Sequence, residues 1–450
     1  MNRIIITAFL IGLSACTDSF LSVKPDSALA IPAVLKDLQA LLDNSSMMNA
    51  RNPSELGEIG ADNYMIAFNQ WELLTNPYQK NGHIWAKDVY EGIPVNDWVY
   101  AYSKILYCNT VLAGLKKIPR NAGNALAYDN IEGSALFFRA YTYYQLSQLF
   151  SKPYDQLTAN NDLGVPLRLE AELESAVYRP KLSVVYLKII EDLQMASEKL
   201  PQNPLAPQRP SNTAAFYLLS RVYLHIGEYE KSLQYAEKVL NAYPTLTDFA
   251  KIDPNLRYPF PVDVRVNKEV IFHTWMQSNV IFSSSRLQIP PDLVELYDEN
   301  DYRKRIFFFL NNGLLTFKGS YQGSSVFFTG FTTPEMYITK AECLYRLGKE
   351  KEAALVLDHF LSFRIKNYRN TGLWGQTLLD KILEERRKEL VFRGVRWEDL
   401  RRLNKEVAFQ KRITRNLNGL LYELKPMDKR YVWPIPDDVI AISEIEQNER

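Results

Sequence analysis

The sequence predicts a mainly α-helical protein carrying irregular, loop-rich segments. Three observations lead there. Apolar residues recur at three- and four-residue steps through long parts of the chain, the period of a helix face. A middle stretch has the spacing of a tetratricopeptide helix pair, and the pattern returns farther on. Two aromatic stretches between these regions have no period at all, which marks them as loops.

Taken in order, the chain opens with Asn2 and Arg3, an apolar run over residues 4–13, and then Ser14, Ala15 and Cys16, a small-residue cleavage site directly before a cysteine. The run falls short of the roughly 20 apolar residues that cross a bilayer as a helix, so residues 1–15 read as a removable signal. Cleavage would leave Cys16 as the lipidated N-terminus, and two or more acyl chains give stable anchoring. An ordinary secretory signal with a chance cysteine is the alternative. Residues 16–35 read as a tether, because Asp18, Ser22, Pro25 and Asp26 interrupt the few apolar residues there.

The composition agrees with an exported, folded body. With 450 residues, 46% of them hydrophobic and 23% charged, the chain can bury a large core. A formal charge of +1 with no long basic block disfavours nucleic acid as a partner. Beyond Cys16, Cys108 and Cys343 sit inside helical patterns, where cysteine usually acts as a small core residue.

Trp98, Tyr102, Ile105, Asn109 and Leu112 fall on one helix face, expected to be buried. Phe216, Leu219, Ser220, Tyr223, Gly227, Tyr229, Ser232 and Pro244 follow the tetratricopeptide spacing, with a small residue where two helices approach and a proline ending the second. Tyr337, Ala341, Leu344, Gly348 and Ala353 form a second copy, and Leu136, Ala140 and Tyr143 begin a weaker third. Such units bury their faces only by stacking on neighbours.

The irregular stretches cover residues 57–94 and 258–330. Long loops in a compact protein are commonly functional, so these are the candidate binding segments. Trp71, Tyr78 and Trp85 lie beside the turn residues Asn76-Pro77 and Asn81-Gly82, off any clean helical stripe. They are the predicted ligand contacts, on the expectation that they are exposed. Tyr258, Trp275 and Tyr321 are the alternative platform.

Catalytic constellations are not evident. The four histidines show no metal-ligand spacing, and there is neither a phosphate-cradling glycine loop nor a Gly-x-Ser-x-Gly frame. Glu384 and Glu385 lie in a charged helix and read as solvated ion pairs. No catalytic residue, metal or cofactor is expected. One charged cluster stands apart: Arg386 falls on the apolar stripe of Leu379, Ile382, Leu383 and Leu390, where a guanidinium must be paired. Glu389 follows at i+3, and a break at Gly394 would bring Arg396 and Asp399 back on a second helix. Arg386, Glu389, Arg396 and Asp399 are therefore expected to form a structural ion-pair network.

The stretch from Glu385 to Arg402, with Arg386, Glu389, Gly394, Trp397 and Asp399, resembles the signature helix of the SusD/RagB nutrient-binding lipoproteins of the outer membrane. Pro434-Ile435-Pro436 with Gln447-Asn448 looks like that family's ending. Gly164-Val165-Pro166-Leu167, Phe138-Arg139-Ala140 and the Tyr102, Ile105, Asn109 helix look like its N-terminal half. Arg393 replaces the glutamate usual before the glycine. The resemblance implies a tetratricopeptide-containing SusD-like helical fold, with residues 36–257 as the N-terminal part entwined with a C-terminal part at 258–450. It also implies a surface lipoprotein, held in the outer membrane by its lipid, that binds a glycan or peptide without enzymatic turnover and delivers it to a SusC-like TonB-dependent transporter. Flat, stiff aromatic faces suit sugar rings, so an oligosaccharide is favoured. A lipid-anchored tetratricopeptide adaptor for a protein partner is the alternative.

Overall fold

The computed structural model describes residue 32, residues 34–171 and residues 177–450; Cys16 and the signal lie outside them. Helices dominate. The long Ala125–Phe150 helix is the central element, buried nearly all round from Ile131 onward, as a helix apolar on every face must be. The Asn96–Leu115 and Leu182–Lys199 helices pack on either side of it. In the first of these, Trp98, Ile105 and Asn109 are buried as their spacing predicts, while Tyr102 and Leu112 are half-buried.

The repeat pattern folds as helix pairs. Asn212–Ile226 begins at Ser211, whose side chain accepts from the Ala214 N–H, and ends at Gly227 in the left-handed conformation that favours glycine. Tyr229–Ala242 returns alongside it. Where the two approach, Ser220 and Ser232 exchange reciprocal bonds, each Oγ donating to the other's carbonyl at 2.9 Å. The second pair, Thr333–Arg346 and Glu350–Leu361, packs onto Tyr229–Ala242 of the first, so units distant in sequence share one core. Cys108 and Cys343 are both free and fully buried, and burial pushes both thiols up to about 12.

Strands are short. Val270–Phe272 pairs antiparallel with Phe331–Thr332 against the central helix, where Phe137, Tyr141, Phe272 and Phe331 interlock. Two hairpins, Phe308–Asn311 with Leu314–Phe317 and Ile413–Leu417 with Leu420–Leu424, turn on Asn312-Gly313 and Asn418-Gly419. All four turn residues have positive φ, the two-residue turn that matches strand twist.

The Gln376–Glu389 helix stops before Phe392 and Gly394, both at positive φ, and Arg396–Leu403 follows. A side chain at Gly394 would press on Ser54, so the reversal also seats this corner against the short Glu55–Gly60 helix. Arg393 finds other partners than a carboxylate. Its guanidinium donates to the Gly330 carbonyl at 3.0 Å and lies 4.5 Å from the Phe328 ring.

Candidate binding face

The two irregular segments meet. Met65 and Gln288 exchange backbone bonds at 2.9 Å in both directions. Gln79 donates to Asn279 Oδ1 at 3.0 Å and accepts from the Ile281 N–H at 3.3 Å, and the Tyr64 and Phe282 rings meet edge to face at 5.2 Å. Loop residues some two hundred positions apart are thereby locked into one surface.

On that surface the short Phe68–Glu72 helix presents half-buried rings. Phe68 and Trp71 have centroids 6.0 Å apart, tilted by 33°. The Trp71 Nε1–H donates to the Lys80 carbonyl at 2.9 Å, while the Lys80 ammonium lies 5.0 Å from its ring and donates to the Glu72 carbonyl. With the indole N–H spent internally, what Trp71 offers outward is apolar ring surface. Exposed Met65 and Val280 and the amide-bearing Asn69 and Gln70 complete the neighbourhood.

The other two predicted contacts are not on the surface. Tyr78 is 3% exposed; its hydroxyl accepts from Asn96 Nδ2 at 3.0 Å. Trp85 is 1% exposed, its Nε1–H donating to the Gly60 carbonyl at 3.0 Å with the Arg415 guanidinium 4.4 Å from the ring. The expectation of exposure is corrected for both. Turn residues beside a ring report local backbone, whereas neighbours from Gly60 and Arg415 cover it. In the alternative platform Tyr321 is fully buried, Trp275 half-buried and Tyr258 exposed.

Beneath the face lie carboxyls without close arginine partners. Asp97 accepts from the Leu56 N–H at 2.7 Å and the Glu55 N–H at 3.3 Å, capping the Glu55–Gly60 helix from outside it. Burial, then the neighbouring Asp97, pushes Glu55 up to about 8; burial pushes Asp97 and Glu58 each up to about 7. Burial also keeps His83 neutral, well below its ordinary value, with its Nδ1 2.8 Å from the Tyr64 hydroxyl. Next to this floor, Asp62, Met65, Asp292, Lys411, Arg412 and Asn416 line a cleft of about 280 Å³. Burial alone would raise Asp62, but Arg396, Arg387 and Lys411 overcome it and hold the carboxyl well below the usual range.

Of the predicted ion-pair residues, Arg386, Glu389 and Asp399 are buried and Arg396 is half-buried, and they divide among several partners. Arg386 Nε bonds both Asp399 oxygens at 2.9 and 2.8 Å, and its Nη2 is 3.5 Å from Glu335. Glu389 turns instead to Arg364, at 3.0 Å, and Arg303, at 3.2 Å. Arg396 pairs with Asp62 at 2.6 Å. Glu385 is fully buried between Arg303, Lys381 and Lys388, contrary to the solvated reading. Its chief partner comes from a helix far upstream, Tyr302–Phe307, that no local pattern joins to it. Among the described residues no group of three or more His, Cys, Asp or Glu side chains is arranged to hold a metal ion.

Comparison with known proteins covers most of the chain. Residues 19–224 match a SusD-like family model described as starch-binding associating with outer membrane, and residues 318–449 match the model of the SusD family. SusD-like protein P2 of Formosa agariphila is 33% identical over 147 residues, which is 32% of this chain and 26% of that protein. SusD-like protein P38 of the same organism is 33% identical over 113 residues, 23% of this chain and 20% of the relative. The matched stretch thus spans about a quarter or less of either relative. Among solved structures, a putative sugar binding protein from Bacteroides vulgatus superposes with a TM-score of 0.75 at 21% identity, over 93% of this chain and 98% of that one. A SusD superfamily protein from Bacteroides thetaiotaomicron gives 0.74 at 21%, over 93% and 100%. A laminarin binding SusD-like protein gives 0.67 at 18%, over 92% and 98%. At these identities the likeness establishes a shared fold.

Proposed function

This chain belongs to the SusD/RagB family, and from that premise we propose that it is an outer-membrane lipoprotein that binds an oligosaccharide and hands it to a SusC-like TonB-dependent transporter. The observation that carries the reading is the braced aromatic face: Phe68 and Trp71 half-exposed where two long loop segments interlock on a rigid helical scaffold. Held by Lys80, Trp71 is already in position, so binding sacrifices little side-chain freedom. Tyr78 and Trp85 belong to the buried core instead. Ring surface and amides, with Lys80 and Glu72 able to bond hydroxyls beside them, suit a sugar, and the starch-binding description of the family model and the laminarin-binding neighbour support a glycan over a peptide. Cys16 supplies the anchor, since two or more acyl chains on it would hold stably. The chain acts by binding and release, without turnover.

Calorimetry on the mature protein in a non-sugar detergent, with malto-oligosaccharides, laminarin fragments and peptides of similar size, tests this. Trp71→Ala should weaken the best ligand by ~1–3 kcal/mol, the cost of truncating a good contact, with melting temperature nearly unchanged. Full affinity in that variant, or hydrolysis products in the cell, would sink the reading.

A further inference from the structure

A second aromatic site lies on the repeat side of the molecule. Trp374 is 69% exposed, in the connection between the Glu350–Leu361 and Gln376–Glu389 helices. That connection is fixed rather than slack. Asp358 Oδ1 accepts from the Tyr368 hydroxyl at 2.6 Å and the Thr371 N–H at 2.9 Å. Glu350 Oε2 accepts from the Gly375 N–H at 2.8 Å, and the Thr377 hydroxyl donates to the Trp374 carbonyl at 2.8 Å. Gly372 and Gly375, at φ of 62° and 59°, set the reversals on either side of it.

The division of labour between two adjacent residues is informative. Leu373 packs against the core of the second repeat pair and meets the loop's need for an apolar anchor. Trp374 turns outward with most of its ring in water, so folding gains little from it. An indole held out on a braced backbone has lost freedom before any ligand arrives, the condition for a contact of low entropic cost. Its surroundings are polar. Gln376 and Asp380 bond each other at 2.8 Å, Glu350 lies behind Gly375, and the Tyr345 phenol feels both Glu350 and Asp380. Protein hot spots sit in well-packed, fully desolvated pockets, and Trp374 stands open to water. Carboxylates and an amide with lone pairs to spare, on residues next to Trp374 and bonded to its loop, suit a hydroxyl-rich sugar.

We propose that Trp374 is a second carbohydrate contact, stacking on one neutral sugar ring of a polysaccharide while Glu350, Gln376 and Asp380 bond its hydroxyls. The ligand class rests on the glycan reading of the first face. The site itself is separate. Trp374 precedes the start of the Gln376–Glu389 helix, while Arg387, about 16 Å along the helix axis, reaches Asp62 and Asp292 at the cleft. A polymer repeats its sugar, so two weak contacts raise its retention without either becoming tight.

Fluorine NMR of the full mature protein labelled with 5-fluorotryptophan, in a non-sugar detergent, separates the two sites. Trp71→Phe and Trp374→Phe assign their resonances, and maltoheptaose, laminarin fragments and a panel of other neutral oligosaccharides are the probes. Movement of the Trp374 resonance with an oligosaccharide supports the proposal, whether or not Trp71 responds. If it moves alone, the first face is the reading that fails. A Trp71 response with a still Trp374 overturns the second site only, leaving Trp374 as a protein contact; silence of both across the panel overturns both. Trp374→Ala should also weaken retention on immobilised polysaccharide about tenfold while leaving short-oligosaccharide affinity at Trp71 unchanged. Equal retention would count against it.

Discussion

The seam where the Thr333–Arg346, Gln376–Glu389 and Arg396–Leu403 helices meet and the floor of the loop face both bury carboxylates, and Glu335 and Asp399 in the one fare opposite to Glu55 and Glu58 in the other. In the seam, Glu335 is brought down to about 2 because Arg221 and Arg386 outweigh the burial that would raise it, and Asp399 is held low against burial by Arg386 and Arg402. Under the loop face, burial wins: Glu55 rises to about 8 and Glu58 to about 7. The difference is one of arginine supply. Where helices must register against each other, fixed guanidiniums lock carboxylates into one arrangement, while the loop floor relies on neutral acids, amides and backbone donors. A network of paired charges tolerates little change, and a neutral floor leaves the surface above it free to be shaped for a ligand.

The largest effect should come from breaking the seam. Arg386→Ala leaves Asp399 and Glu335 buried with one cation fewer, a loss of about 3–5 kcal/mol. Chemical denaturation should show it as a lower midpoint, and any folded fraction should still bind sugar. Unchanged stability with lost binding would place Arg386 in the site and dissolve the contrast. Trp85→Ala should follow closely at ~3–5 kcal/mol, since it empties a fully buried ring position under Arg415. A stable Trp85→Ala protein that fails to bind would return Trp85 to the ligand.

Acid and base distinguish the regions next. Glu335, lowered from 4.5 to about 2, contributes stability that is fully present above about 4.5 and is lost as pH falls through about 2. Glu58 has the reverse sign. Raised from 4.5 to about 7, it keeps its proton in the folded chain where the unfolded chain releases it, so stability falls as pH rises from 4.5 past 7, by up to ~3 kcal/mol. Asn63 donates to Glu58 Oε1 at 2.7 Å, but this bond does not outweigh the burial that favours the protonated acid. Glu58→Gln should therefore flatten the decline in denaturation midpoint between pH 5 and pH 8. An equally steep decline in the variant would mean that other groups carry it.

The same contrast explains what the sequence could reveal. Helix faces, the Ser220 and Ser232 approach and the break at Gly394 are local patterns, and all are present in the fold. Arg386 was legible as buried because it sits on an apolar stripe. Glu385 was not, because Arg303 stands 82 positions upstream, and the partner of Arg396, Asp62, is 334 positions away. Tyr78 and Trp85 misled for a related reason: nearby Asn-Pro and Asn-Gly turns describe their own backbone, while burial is decided by Asn96, Gly60 and Arg415. Of the three predicted rings only Trp71 keeps an open face, and no periodicity separates it from the others.

The smallest effect tests whether the loop face is energetically separate from the seam. Lys80 carries the same charge as Arg386, but its ammonium stands 5.0 Å from the Trp71 ring at a half-exposed position and bonds a single carbonyl. Such a cation and ring at an exposed site contribute ~0.5–1 kcal/mol. Lys80→Met keeps the apolar stem and the backbone carbonyl that accepts the Trp71 N–H, removing the ammonium alone. Stability should drop by less than ~1 kcal/mol. Oligosaccharide affinity should fall a few-fold, because Trp71 would then lose freedom on binding that Lys80 had already removed. Calorimetry and thermal denaturation on the same preparation read both quantities. Should Lys80→Met destabilise the protein as much as Arg386→Ala, the aromatic face belongs to the core, and the division between a locked seam and a separately tunable binding surface is lost.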